Sequence, residues 1–468
     1  MATFENRTQY SKEQDQLLKT ILDFRFFNPW KNLVSNFDDM FSLRRDAILE
    51  IYITNVCNQN CEYCYLVKNK GLYPEDKRDP KLLLHNLRIL YDFIMENDYR
   101  LPEIDFFTGE IWHTQFGLDV LDTTIEYLRQ GMQVDHFLIA SNCSFVNDDE
   151  QLQKIQSRIN TFKQLDAPLF YSISVDGLIL DQQTRPRNNN IEYTQEFYDK
   201  LFSFAKYNNF YFHPMVSPES IELWSENYDW WRDQCNYYQI QFYPTMMMLE
   251  VRSKDWTEEK IDCYCDLLIK MSKDFLQNWC NNDKKLFADT LVGIHKNFIP
   301  LNGYFPWCWT RSDSFNGCSV STDLTVRLGD FAICPCHRTA YNKYLYGYFD
   351  VQNDKICGIK AVNPQMAVKV LMMNFNLCHF GCDSCVYTPV CLKGCYGLQL
   401  EEMQDPFIPV PTVCHFFDRK YSTLFQYWED LGIIDYYRKI NIQEQNSDAV
   451  VELLTTYEKW KEYKNGLG

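Results

Sequence analysis

The chain has 468 residues and a formal net charge of −17. That is long enough for a barrel-sized core plus a second unit, and the wrong balance for a broad nucleic-acid or membrane-surface binder. Hydrophobic residues make up 46% and charged residues 23%, with 19 cysteines, a globular composition rather than a disordered one.

No apolar run approaches the ~18 residues of a membrane span, and Met1 to Arg7 has no apolar core for a signal peptide. The cysteines crowd into 57–64 and 308–414 instead of scattering in even pairs, which favours metal ligation over a disulfide scaffold. The expectation is a reducing, cytoplasmic protein.

Residues 1–46 hold one expected helix, about Lys12 to Phe24, then an aromatic-rich connection. From 47 onward strands and helices alternate, as in βα units on a parallel sheet. The apolar run Ala47 to Thr54 is the first buried strand, and Leu83, Leu87, Leu90 and Ile94 then recur at helical spacing. Glu103 to Phe107 is the second strand, followed by a helix with Leu118, Leu121, Ile125 and Leu128. Strands three to six are His136 to Ala140, Leu169 to Val175, about Tyr211 to Val216 and about Ile240 to Met246. A long helix with Ile261, Cys265, Leu268 and Phe275 follows, and from about 300 cysteines, glycines and turns replace the βα pattern. The tail 421–468 reads as two amphipathic helices.

Cys57, Cys61 and Cys64 sit in the loop after the first strand, spaced Cys-x3-Cys-x2-Cys. Three thiolates so placed can hold three corners of an iron–sulfur cube and leave the fourth iron open for a small molecule. A zinc knuckle is the plainer alternative.

The spacing, with Tyr63 before the last cysteine, resembles the signature of the radical S-adenosylmethionine (SAM) enzymes. The resemblance implies SAM on the open iron, Tyr63 beside the adenine, and a partial (β/α)6 TIM-like barrel over 47–299. Phe107-Thr108-Gly109-Glu110 stands where the family usually shows Gly-Gly-Glu-Pro. Gly109 would let the backbone approach the cofactor, and Glu110 would accept from the SAM amino group. Thr108 and Ile111 depart from the pattern, and a Glu capping the next helix is the bland reading. Ser172-Ile173-Ser174-Val175-Asp176-Gly177 is similar to the family's Ser-x-Asp-Gly element. Ser174 would then bind the SAM carboxylate or ribose, with Arg185 pairing with the carboxylate and Asn142 a further candidate. Small residues filling the barrel would explain the serines equally simply.

Cys318, Gly329 and Cys334, then Cys382-x2-Cys385-x5-Cys391-x3-Cys395 and Cys414, match the seven-cysteine SPASM motif, a cysteine-rich extension (300–420) found in enzymes acting on peptides. The family's ligation implies one auxiliary cluster on Cys318, Cys334 and Cys395, completed by Cys308 or another cysteine. The other would use Cys382, Cys385, Cys391 and Cys414. With the SAM-binding cluster this makes three [4Fe-4S] clusters. Zinc is the alternative metal here too.

The family resemblance implies a maturase that reductively cleaves SAM to a 5′-deoxyadenosyl radical. It would abstract hydrogen from a residue of a ribosomally made peptide and form a carbon–carbon or thioether crosslink. Its implied partners are a precursor peptide and a reductant such as flavodoxin or ferredoxin. Residues 1–46 are short for a winged-helix leader-binding module, so any leader recognition would be done otherwise or by a separate protein. One alternative is an anaerobic sulfatase-maturating enzyme making formylglycine, in which an Asp base follows the cysteine equivalent to Cys334. Here Pro335 follows. The other is a non-catalytic iron–sulfur or zinc protein. The sequence does not name a general base.

Overall fold

A computed structural model describes residues 12–22, 48–68, 79–185, 193–240, 248–249, 255–291, 324–373, 382, 384–387, 395–405, 407–439 and 448–466. They fall into two compact units, one within 1–174, 185–211 and 319–375, the other within 175–184, 212–318 and 376–468.

The first unit is built on a parallel sheet. β1 (Ile48–Tyr52), β2 (Arg100–Phe107), β3 (Gln133–Ser141) and β4 (Leu169–Ile173) pair in parallel in chain order, as the alternating pattern predicts. The connecting helices start on caps that the sequence supplies. Asp79 accepts from Lys81 N–H ahead of Pro80–Glu96, and Thr114 accepts from Gly117 N–H ahead of Gln115–Arg129, each worth about 1 kcal/mol. The expected Leu83, Leu87, Leu90 and Ile94 form the buried stripe of the first helix.

β5 (Asn209–Phe212) extends the sheet beyond β4. β6 (Met215–Val216) instead pairs in parallel with β7 (Met248–Leu249). The expected fifth strand is thus cut in two at Pro214, which has no N–H to give a ladder. The Met215 N–H goes to the Asp176 carboxylate at 2.8 Å. Most of the expected sixth strand, 241–246, lies outside the described residues.

The sheet also continues on the other flank of β1. β8 (Leu324–Arg327) joins it in parallel, and β9 (Ala332–Cys334), β10 (Gly347–Gln352) and β11 (Lys355–Ala361) follow antiparallel. The order is β11-β10-β9-β8-β1-β2-β3-β4-β5. Register sorts the faces. Leu49, Ile51, Ile104, Phe106, Phe137, Ile139 and Tyr171 share an apolar one, all 2% exposed or less. The opposite face carries Glu50, Asp105, Ser172, Thr325 and Arg327. A face this polar and this buried requires internal partners. Arg327 finds Asp330 at 2.5 Å and the Ala340 carbonyl at 2.9 Å.

Among its described residues the second unit is helical apart from β6 and β7 and the connecting turns. Its helix Glu258–Asp274 buries the expected Ile261, Cys265 and Leu268 and lies against Pro411–Asp430, with Phe416 edge on to Trp256 and tilted against Tyr264. The tail comprises the end of Pro411–Asp430, Ile433–Lys439 and Asp448–Lys464. Phe425, Tyr457 and Trp460 form its apolar seam. Among the described residues no helix is long and apolar enough to cross a membrane.

Candidate active site

Parallel strands deliver their loops to one edge, the C-terminal one, where barrel sites form. The loop after β1 carries all three cysteines of the first motif. Cys61 is buried, Cys57 and Cys64 are half-buried, and Cys64 leads into the short helix Tyr65–Lys68, its carbonyl accepting from Lys68 N–H at 2.9 Å. Two amide side chains between the first two cysteines tie the loop down. Asn58 donates to Ser144 Oγ at 2.8 Å and accepts from Asn142 Nδ2 at 2.7 Å, while Gln59 donates to the Tyr193 hydroxyl. The Gln59 N–H points at Cys57 Sγ at 3.4 Å, and the Cys61 thiol donates to Gln59 Oε1 at 3.4 Å.

Burial, and then the nearby Glu110 carboxylate, push the Cys57 thiol up to about 12. A metal must displace that proton to bind. Among the described residues no three His, Cys, Asp or Glu side chains converge on a single ion position, so the loop is not a preformed one-ion cage. Three free thiols on one curved loop are the soft donor set that an iron–sulfur cluster takes.

The turn after β2 is clamped to this loop. Gly109 has φ +67°, and a Cβ there would lie 2.2 Å from the Val56 carbonyl oxygen. The same oxygen accepts from Glu110 N–H at 2.8 Å. The neighbour that the glycine admits is therefore the cysteine loop itself. Glu110 is 3% exposed. Its carboxylate accepts from Asn142 N–H at 2.7 Å, Ser141 Oγ at 3.0 Å and Trp112 N–H at 3.2 Å. Asn142 braces the loop from the end of β3, donating to Asn58 and accepting from Ser144 N–H at 3.0 Å.

Ser174 is half-buried just beyond β4. Its N–H donates to the Ser141 carbonyl at 2.7 Å, and its carbonyl accepts from Arg185 Nη1 at 2.8 Å. The buried Arg185 guanidinium lies 5.2 Å from the centre of the Tyr63 ring and favours the Cys57 thiolate. Tyr63, Ser174 and Arg185 thus meet beside the cysteine loop, with Glu110 and Asn142 bonded to it and Gly109 packed against it. Asp176, two residues on, is a structural hub of the second unit. It accepts from Met215 N–H and, at 2.7 Å, from the Thr184 hydroxyl, and its carbonyl accepts from Asn227 and Trp231.

No family model matches the chain, and no curated protein does. Solved structures do match. Native anSMEcpe, with bound AdoMet, aligns at a TM-score of 0.55 and 13% identity over 84% of this chain and 100% of its own. With AdoMet and the Cp18Cys peptide the same protein gives 0.54 and 13% over 82% and 98%. The chain shares the fold of these AdoMet-bound structures. SuiB of Streptococcus suis, bound to precursor peptide SuiA, gives 0.44 and 15% over 78% and 75%.

The later cysteines divide between the units. Cys334 ends β9, fully buried, its thiol donating to the Thr325 carbonyl at 3.6 Å and pushed well up by burial. Cys382, Cys385, Cys395 and Cys414 belong to the second unit. Cys395 precedes the helix Tyr396–Met403 and packs on Leu398, Val410 and Val413. Cys414, in the first turn of Pro411–Asp430, has its thiol raised by burial and then by Cys385, so those two lie within electrostatic reach. Cys308, Cys318 and Cys391 lie outside the described residues.

Two groups at the strand edge were not legible as site residues. Asn58 and Gln59 stood out only as polar residues between cysteines. Glu50, the lone acid in an apolar strand, signals a buried partner but not which one. The partner is His337, which donates from its backbone and ring to that carboxylate.

Proposed function

We propose that the chain is a radical SAM maturase of ribosomally made peptides. A [4Fe-4S] cluster on Cys57, Cys61 and Cys64, with SAM at its open iron, would supply a 5′-deoxyadenosyl radical. The substrate is a peptide residue that loses a hydrogen atom on the way to a carbon–carbon or thioether crosslink. The supporting observation is the gathering, at one strand edge, of the cysteine loop with Tyr63, Glu110, Asn142, Ser174 and Arg185. A guanidinium and a carboxylate are the groups suited to the two charged ends of an amino-acid moiety.

The fold shared with anSMEcpe, solved with a peptide, favours a peptide substrate. In the same reading Cys318, Cys334 and Cys395 with Cys308, and Cys382, Cys385, Cys391 and Cys414, hold two auxiliary clusters. A flavodoxin or ferredoxin supplies electrons, and a separate protein recognises the leader.

Anaerobic reconstitution, metal and sulfide analysis, and a dithionite-driven assay for 5′-deoxyadenosine test this. About twelve irons with deoxyadenosine support three clusters. Zinc, or iron without SAM cleavage, replaces the reading with a non-catalytic metalloprotein. Conversion of a sulfatase peptide's Cys or Ser to an aldehyde replaces the crosslink with formylglycine formation.

A further inference from the structure

Glu50 lies in the middle of β1 and is 4% exposed. One oxygen accepts from His337 Nδ1 at 2.9 Å, and the other from His337 N–H at 2.8 Å and from the Thr325 hydroxyl. Burial pushes this carboxyl up, but the His337 ring and the surrounding donors outweigh it and hold it below its ordinary value. The strand therefore keeps a charge where a valine would cost less to bury, and keeps it for one imidazole.

That imidazole is fixed in three directions. Its Nδ1 is bonded to Glu50. Phe107 stacks on it at 4.2 Å and 11°, and Tyr65 lies 5.7 Å away. Phe107 leads directly into the Thr108–Glu110 turn, and Tyr65 directly follows Cys64. His337 thus sits between the cysteine loop and the Glu110 loop, on the same strand edge. Its side chain is 27% exposed, and among the described residues Nε2 takes part in no hydrogen bond. A carboxylate on Nδ1–H selects the tautomer whose lone pair is on Nε2, and stabilises the imidazolium formed when that nitrogen takes a proton.

We propose that His337 is the proton acceptor of this site, with Glu50 its positioning residue. An O–H, N–H or S–H bond of the peptide residue undergoing modification breaks heterolytically. The electron pair stays on the heteroatom, the proton passes to Nε2, and Nδ1–H remains on Glu50. No electron changes hands in this step. The inference rests on the peptide-maturase reading and names the base which that reading lacks.

Two measurements on the reconstituted holoenzyme test it. Diethyl pyrocarbonate labelling, mapped by peptide mass spectrometry, reads Nε2 without any turnover. His337 should be carbethoxylated in the wild-type enzyme and severalfold more slowly in Glu50→Gln. An unlabelled His337, or equal rates in the two proteins, overturns the proposal.

The second measurement uses the peptide that wild-type enzyme is found to modify when co-expressed with the small open reading frames beside its gene. Product formed per deoxyadenosine released should fall about 100-fold in His337→Gln, at wild-type iron content. Imidazole added to His337→Ala should restore part of it. A product ratio within threefold of wild type in His337→Gln overturns the proposal and leaves the maturase reading standing. Wild-type enzyme that releases no deoxyadenosine overturns both. If the variants do not fold, the wild-type labelling still decides.

Discussion

The carbonyl oxygen of Val56 lies where a side chain on Gly109 would have to go, 2.2 Å from the position of the missing Cβ. The turn before Glu110 and the loop bearing Cys57 are therefore one packed object, and the glycine's φ of +67° is part of the fit. Gly109→Ala must shift backbone rather than a flexible side-chain tip. Its expected cost is about 2 kcal/mol or more, together with loss of iron from the first site. Denaturant titration and iron analysis of the variant check this. Full iron and wild-type stability would show that the loops move apart freely.

The family resemblance makes Asn142 a candidate SAM contact, and in the structure it donates to Asn58 of the cysteine loop at 2.7 Å. The two roles predict different double-mutant cycles. If bracing dominates, Asn58→Ala and Asn142→Ala each cost about 1 kcal/mol, and the pair costs less than their sum by about 1 kcal/mol. SAM affinity should then change no more in the Asn142 variant than in the Asn58 variant. A large, non-additive loss of SAM binding in Asn142→Ala alone would restore the direct contact.

The legible part of this fold was the part with a period. β1 to β4 and their helices follow from apolar runs and i, i+3, i+4 stripes, and their strand ends fix the edge where Cys57, Glu110, Asn142 and Ser174 meet. β5 was legible as a strand but not as a broken one, because Pro214 acts through a lost ladder bond and not through hydrophobicity. β8 to β11 were hidden for another reason. Buried Leu324, Val326 and Ile333 alternate there with Thr325, Arg327 and Cys334, which are buried by pairing with Glu50, Asp330 and a backbone carbonyl, so neither a polar face nor a continuous apolar run marks these short strands. Glu50 and His337 are 287 positions apart, so nothing local could join them.

The Glu50 pair gives a pH dependence with a definite sign. The folded carboxyl lies below its ordinary value of 4.5, so near and below that pH the unfolded chain holds more protons on this group. Its contribution to stability is full above 4.5 and is lost as the pH falls through the folded value. The stability difference between wild type and Glu50→Gln, taken in the same cluster state, should therefore shrink as the pH falls below about 4.5. A difference that grows over that range would mean the carboxyl is protonated in the fold.

Asp176 belongs to the element that resembles a SAM-binding one, yet both of its oxygens serve the protein. Oδ1 accepts from Met215 N–H and Oδ2 from the Thr184 hydroxyl, in a side chain with no exposure. Asp176→Ala removes the acceptor of the Met215 N–H and leaves that donor unpaired, at a cost of about 1–3 kcal/mol. The unfolding free energy from urea titration should fall by that amount while SAM affinity changes little. A selective loss of SAM binding would place Asp176 in the cofactor site instead.

Replacing Cys57, Cys61 and Cys64 together by Ala separates the first motif from the rest of the chemistry. The loop keeps its anchors without the sulfurs, since Asn58, Gln59 and the Val56 carbonyl are bonded to Ser144, Tyr193 and Glu110. The variant should therefore fold, with a stability change set mainly by the buried Cys61 and no larger than about 1–2 kcal/mol. Deoxyadenosine formation should vanish while about eight irons remain on the later cysteines. Iron analysis decides how many clusters the later cysteines hold, and the SAM assay decides which cysteines do the cleavage. Loss of all iron would mean that the later cysteines fill only after the first site. Retained cleavage would remove Cys57, Cys61 and Cys64 from the active site altogether.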